Sequence, residues 1–340
     1  MRSALLVPFA FLALSAQAAP NPFGEEEKPK NWKEMTQKAK YQCPGRMVTF
    51  ESPDSITIGN LMVDRKGSRF VVKGGTVQET KLTIGVLGAI KDAAKDTRKN
   101  LDAFKAWFEK EGVDLVVANG DVVTDDFELQ DVFTLLAAFN KPVLVFAGNS
   151  ESRTTFNRTL VQMEKKHGNL INGNWVRQLD WGNYSLWTLP GYHDKRFIYG
   201  NPGCHYEKDH LIDIHRGVRA GKGRTHVLVT HGPPGGKGKV GLDMITDGKH
   251  VGDQGIFRLI QQVKIPFGIH GHILEAGGAV STNYHRKVGE EGKPLNSAYF
   301  NVGSASGFPW SMNNGKAIRG MAGILKLEGK TGTVLFKRFE

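Results

Sequence analysis

Two cysteines are all that the 340-residue chain carries. So few exclude a disulfide-dense scaffold and leave Cys43 and Cys204 as either one bridge, tying an N-terminal segment to the main domain, or two separate thiols. After residue 18 no apolar run is long enough to cross a bilayer. Internal repeats and low-complexity tracts are absent, which removes solenoid, collagen-like and coiled-coil architectures. Helix-turn-helix, zinc-finger and aromatic-interleaved basic strand patterns are missing too, so sequence-specific nucleic-acid recognition has no module to rest on.

What is present is an ordinary globular composition, 40% apolar and 23% charged, in a chain long enough to bury a large core. The formal net charge of +11 invites a polyanionic partner, whether nucleic acid, phosphorylated glycans or a polyanion of the cell envelope. Residues 1–18 read as an export signal: Arg2 is the positive end, 4–14 the apolar stretch, and Ala16-Gln17-Ala18 the small-x-small cleavage site before Ala19. Cleavage there removes only one charged residue, so the basic excess belongs to the mature chain, which is expected to be secreted or periplasmic. Residues 19 to about 40, rich in Pro, Glu and Lys, read as a mobile leader. Alternation over 55–72 predicts a hairpin, which gives a leader and hairpin extension over 19–78 and a main domain over 79–340.

Beyond residue 80 short apolar runs at 82–87, 115–118 and 143–146 alternate with helical patterns, Leu101, Phe104, Trp107 and Phe108 sharing one face and Val132, Leu135, Leu136 and Phe139 another. The rhythm returns at 226–230, 256–263 and 266–269, and strand-like stretches close the chain; the fold class is mixed α/β. In such sheets ligand sites form beyond the carboxyl ends of the strands. Four of those ends carry metal-type side chains: Asn119-Gly120-Asp121, Gly148-Asn149-Ser150-Glu151, His231-Gly232-Pro233-Pro234 and His270-Gly271-His272.

These motifs, with the late Asn301-Val302-Gly303-Ser304, resemble those of the calcineurin-like metallophosphoesterase family over about residues 80–340. The resemblance implies a four-layer α-β-β-α sandwich of two mixed sheets and a site for two metal ions bridged by one Asp. Position by position, Asp121 matches the bridging carboxylate, and Asn149, His231 and His270 match the remaining ligands of one ion. One carboxylate, one amide oxygen and two imidazoles suit Mn²⁺, Zn²⁺ or Fe²⁺ better than Ca²⁺. For the second ion the family carries Asp-x-His after the first strand, where this chain has Ala89 and Lys91, leaving only Asp121 and His272. Where the family has a His after the Asn, this chain has Ser150.

Two readings follow from these departures. In one the protein is a phosphoesterase with one firmly bound metal, Lys91 supplying the positive charge of the missing ion and His193 the leaving-group proton. In the other it is a lapsed enzyme that binds a phosphorylated ligand or partner without turnover. The Gly-rich loop 235–252 is expected to overhang the site and to contribute Lys249 and His250 to substrate binding. A third reading, polyanion binding by the surface alone, rests on Lys95, Arg98, Lys99, Lys105 and Lys110, for which a solvated helix face is the ordinary explanation, and on Lys237, Lys239 and Lys249 of the loop after the His231 motif.

Overall fold

The computed structural model describes residues 29–74 and 77–340; the expected export signal and the leader up to residue 28 lie outside the described residues. Among the described residues the larger sheet has ten strands. Their order is Asp54–Ile58, Leu61–Arg65, Arg69–Lys73, Gln178–Trp181, Tyr184–Leu189, Thr225–Thr230, Phe267–His270, Ala298–Asn301, Val280–Thr282 and Lys287–Val288. The smaller sheet has six, in the order Thr331–Arg338, Met321–Glu328, Lys81–Leu87, Leu115–Asn119, Val143–Phe146 and Leu170–Asn172.

Side chains alternate across each strand, and the alternation builds the layers. Leu82, Ile84, Val86, Leu115 and Val117 of the smaller sheet meet Leu186, Val227, Val229, Ile269 and Phe300 of the larger one in the core between the sheets. The other face of the smaller sheet, with Val116 and Ala118, packs on helices Lys95–Lys110, Leu129–Ala137 and Arg153–His167 through Phe104, Phe108, Leu136 and Phe156. The outer face of the larger sheet packs Trp187, Leu228 and Tyr299 on helices Lys208–Ala220 and Gln254–Val263. The result is the four-layer α-β-β-α sandwich that the resemblance implied. Gly85 shows how closely the layers fit, since a Cβ there would lie 2.7 Å from the Phe108 ring; truncating that ring to Ala costs about 3–5 kcal/mol. Lys95, Arg98, Lys99 and Lys110 lie on the exposed face of their helix.

The segment before residue 78 is joined to this sandwich. Strand Arg69–Lys73 pairs in parallel with Gln178–Trp181, and two antiparallel strands follow it outward. Residues 32–38, expected to be mobile, form the helix Trp32–Lys38, for two reasons that a compositional reading overlooks. Asn31 caps its amino end by accepting from the Glu34 N–H at 3.0 Å, and the Trp32 ring packs 5.2 Å from that of Phe70 and 6.2 Å from that of Trp175. Cys43 and Cys204 are bridged, with their Cα atoms 5.0 Å apart.

What positions the site is parallel register. Lys81–Leu87, Leu115–Asn119 and Val143–Phe146 run parallel, as do Tyr184–Leu189, Thr225–Thr230, Phe267–His270 and Ala298–Asn301. Parallel neighbours end at the same edge of their sheet, so the polar segments after each apolar run are delivered to one place.

Candidate metal centre

The loop after Leu115–Asn119 turns through Gly120 and Asp121, both with left-handed backbone, φ 77° and 52°. Only glycine fits the first position, because a Cβ there would lie 2.5 Å from His231 Nδ1. Gly148 is constrained in the same way, its missing Cβ leaving room for Asp121 Oδ1. Of the nine non-glycine residues with positive φ among the described residues, four are Ala89, Lys91, Asp121 and His272. Backbone of this kind persists where the surroundings over-determine it, and it is concentrated here around one point.

At that point three acceptor atoms face one another, and one of them, Asp121 Oδ1, also takes the Asn149 and Ser150 N–H groups at 3.2 and 3.3 Å. His231, wholly buried, has its Nδ1 3.0 Å from the Asn119 carbonyl, which makes Nδ1 the protonated nitrogen and turns Nε2 inward. Nε2 lies 2.9 Å from Asn149 Oδ1 and 3.3 Å from Asp121 Oδ1. The Asn149 orientation is set by its Nδ2, which donates to the Phe197 carbonyl at 2.7 Å, leaving Oδ1 as the inward atom. An imidazole lone pair, an amide oxygen and a carboxylate oxygen thus converge, and a cation, whether proton or metal ion, is what such an arrangement accommodates. Burial works against a charged His231, but the neighbouring Asp121 carboxylate outweighs it and raises the pKa. His272 joins from the larger sheet, its ring 5.0 Å from that of His231. Ligand atoms of Asp121, His231 and His272 all lie within 4.8 Å of one another. Burial and the nearby His231 push the His272 pKa down to about 3, so this imidazole is neutral and able to ligate.

His270, which the sequence reading placed in the ligand set, is not brought to this point. Its Nδ1 bonds Thr230 Oγ1 at 2.7 Å and its ring lies nearly parallel to Tyr299, on the helix side of the sheet. The strand ends at His270, and the positive φ of His272 (67°) turns that residue inward instead. The set that converges is therefore Asp121, Asn149, His231 and His272.

Lys91 occupies the other side of the bridging carboxylate. Its Nζ lies 2.5 Å from Asp121 Oδ2, and its backbone N–H donates to the Asp121 carbonyl at 3.2 Å. Burial disfavours the ammonium, yet Asp121 more than compensates, with Glu151 and Tyr199 adding to it, and the pKa is raised. Asp121 in turn is held well below the usual carboxylate range: burial opposes its charge, while Lys91 and His231 prevail. His193 sits between the rings of Tyr192 and Tyr206, at 4.5 and 6.3 Å, and Tyr192 in turn lies 4.2 Å from His272. Lys249 and His250 are spent within their own loop. Lys249 Nζ pairs with Asp247 at 2.6 Å, and His250 bonds Asp243 at 2.7 Å and the Gly238 carbonyl at 3.1 Å.

One participant had no role in the sequence reading. Glu151, wholly buried, accepts from Val122 N–H at 2.5 Å and Gly148 N–H at 2.8 Å, joining the loop of Asp121 to that of Asn149. Burial and the adjacent Asp121 raise its pKa to about 7. Its place in the run Gly148-Asn149-Ser150-Glu151 was the available signal, since a carboxylate three residues after a strand-end glycine is positioned to accept that glycine's N–H.

Comparison with known proteins bears on the same region. The family model of the calcineurin-like phosphoesterases matches residues 84–276. The chain belongs to that family. The matched segment contains every residue of the convergent set together with Lys91 and His193. TT1561 of Thermus thermophilus has a TM-score of 0.52 at 12% identity, covering 76% of this chain and 99% of that one. A dimetal phosphatase from Danio rerio has a TM-score of 0.49 at 12% identity, over 77% of this chain and 100% of that one. GAP50, the anchor in the inner membrane complex of Plasmodium, has a TM-score of 0.49 at 13% identity, over 76% and 84%. At these identities the likeness to TT1561 concerns the fold alone. A search of curated proteins finds no match. No described helix is long and apolar enough to cross a membrane.

Proposed function

We propose that this calcineurin-like phosphoesterase is an exported hydrolase of phosphate monoesters or diesters, working with one divalent transition metal and one lysine. Asp121, Asn149, His231 and His272 would hold the ion, and Mn²⁺, Zn²⁺ and Fe²⁺ suit this mix of oxygen and imidazole ligands. The His231 Nδ1 bond to a backbone carbonyl is the outer contact that fixes the tautomer of a ligating histidine. When bound, the ion supplies Lewis-acid polarisation of the phosphoryl group and acidifies water.

The remaining work falls to the chain. Hydrolysis forms a bond between a water oxygen and phosphorus, that water giving up one proton, and breaks the bond from phosphorus to the alcohol, which takes up one proton. The Lys91 ammonium, anchored by Asp121, has further N–H donors to turn toward the phosphoryl oxygens as their charge grows. His193, linked to His272 through the Tyr192 ring, is the candidate to deliver the proton. Export rests on the signal pattern of residues 1–18.

The single observation that carries this reading is the Lys91–Asp121 contact, which puts a fixed positive charge beside the bridging carboxylate. The same contact favours a second reading, in which Lys91 closes the second-ion side and the protein binds a phosphorylated ligand or partner without turnover. Metal analysis combined with turnover of an aryl phosphate, for wild type, Asp121→Ala and Lys91→Ala, separates the two. About one ion per chain and turnover lost in both variants supports the hydrolase; one ion per chain with no turnover of any monoester or diester supports the binding protein.

A further inference from the structure

Eight large apolar side chains are exposed among the described residues, and five of them lie on loops tied to the segments of the metal centre: Phe127, Phe197, Tyr199, Phe308 and Trp310. Phe127 is 82% exposed, Tyr199 70% and Phe308 66%. They belong to three loops, each beginning at a strand end on the site edge and each fastened to the segments that carry Lys91 or Asn149. In the first, Thr124 N–H donates to the Lys91 carbonyl at 2.7 Å. In the second, Tyr199 N–H donates to the Asn149 carbonyl at 2.8 Å, and the Phe197 ring packs edge-on against Tyr192, itself against His272. In the third, Ser304 Oγ donates to the Ala89 carbonyl and Ala305 N–H to the Gly88 carbonyl, both at 2.8 Å. A folded chain gains little from rings left in water, and their concentration on three loops fastened to the same site marks a binding surface.

The charges beside these rings define what the surface accepts. Phe127 is flanked by Asp125, Asp126 and Glu128. Arg196, next to Phe197, is paired with Asp194 at 2.6 Å, and Lys249 with Asp247. Lys195 stands exposed beside them, one cation and not a track of the kind that follows a polyphosphate backbone; a second positive charge lies inward, at Lys91.

Resting on the phosphoesterase reading, we propose that Phe127, Tyr199 and Phe308 form an aromatic rim that receives the uncharged, ring-bearing alcohol of a phosphomonoester. The substrate class is a sugar or nucleoside monophosphate, with a single phosphate held at Lys91 and the metal. A nucleobase lays its flat face on an aromatic side chain whatever its hydrogen-bonding edges, and a pyranose lays a C–H face on the same ring, so the rim selects for a ring without dictating which one.

The test titrates and assays the Mn²⁺-loaded full chain with glucose phosphate, adenosine monophosphate and glycerol phosphate, in wild type and in the triple variant Phe127→Ala, Tyr199→Ala, Phe308→Ala. Wild type is expected to favour at least one ring-bearing ester over glycerol phosphate about ten-fold in kcat/KM, or in affinity should turnover be absent. In the triple variant that ratio should fall to near one. Which ester is favoured distinguishes a sugar from a nucleoside. Equal use of all three by wild type, or a preference that survives in the triple variant, overturns the rim. A metal-loaded chain that binds none of the three overturns the rim; the phosphoesterase reading falls only if aryl phosphate monoesters and diesters are not cleaved either.

Discussion

The Lys91 ammonium lies 2.5 Å from Asp121 Oδ2, on the side of the carboxylate opposite to the one facing His231. One carboxylate is thereby shared between a fixed side-chain cation and a prospective metal ion. The two contribute differently, because a metal ion dissociates and exchanges whereas a lysine stays with the chain.

Replacing Lys91 by Met separates these contributions. Removing a donor aimed at developing charge costs about 10²–10³ in kcat, while Asp121, relieved of its partner, should bind Mn²⁺ more tightly. Stopped assays and metal titration on the same preparation measure both. An unchanged kcat would remove Lys91 from the chemistry.

His272 and His270 make opposite predictions. His272→Ala should weaken metal affinity by more than about 100-fold, exceeding the effect usual for outer contacts. His270→Phe preserves the stack on Tyr299 and should leave one ion per chain. Equilibrium dialysis with Mn²⁺ decides, and the reverse pattern would reinstate His270 as the ligand.

Glu164 gives a pH dependence remote from the metal. It accepts from Asn172 N–H at 2.8 Å, and burial raises its pKa to about 7, only partly offset by that bond and by Arg65. A raised carboxyl pKa means that the folded state holds the proton more tightly than the unfolded one. The contribution of Glu164 is thus largest below its unfolded pKa and is lost as pH rises from about 4.5 through 7. Glu164→Gln should flatten this loss, seen as a higher urea midpoint relative to wild type at about pH 8 than at about pH 5. An identical difference at both pH values would contradict it.

The Cys43–Cys204 bridge closes a loop of sequence separation 161, and Cys204 supports the metal centre through its carbonyl, which accepts from Tyr192 N–H at 3.2 Å. Replacing both cysteines by serine should cost about 2–5 kcal/mol of stability. Because Tyr192 packs on His272, weaker metal retention should accompany it. Denaturant unfolding and metal titration report the two effects separately, and stability lost without any change in metal affinity would confine the bridge to the scaffold.

Much of this was legible in the sequence because buried parallel strands are short, continuous and apolar, so their ends, and hence Asp121, Asn149 and His231, stand out. The choice between His270 and His272 was not. Two residues apart, they share a face as long as the strand continues, and only the backbone turn at Gly271 and His272 separates them. Lys249 and His250 were placed by proximity in sequence, whereas buried Asp243 draws their loop closed by accepting from Gly236 and Gly252 N–H, both at 2.9 Å. Helix Lys208–Ala220 escaped notice although Leu211, Ile214 and Val218 keep a helical spacing, because that stripe is short and set among Lys, Asp, His and Arg side chains.

The parallel pairing of Arg69–Lys73 with Gln178–Trp181 has a consequence for anyone trimming the chain to its family-matched region. All four residues of Gln178–Trp181 are buried, and without the preceding strands their backbone N–H and carbonyl groups would become an open, adhesive margin. The outermost strand that now takes that place begins with exposed Asp54 and Ser55, its Asp54 ion-paired to Arg65. A charged border of this kind discourages a second molecule from adding itself to the sheet. The strands ahead of the family-matched region thus cover the buried strand Gln178–Trp181, a cover that a shortened fragment would lack.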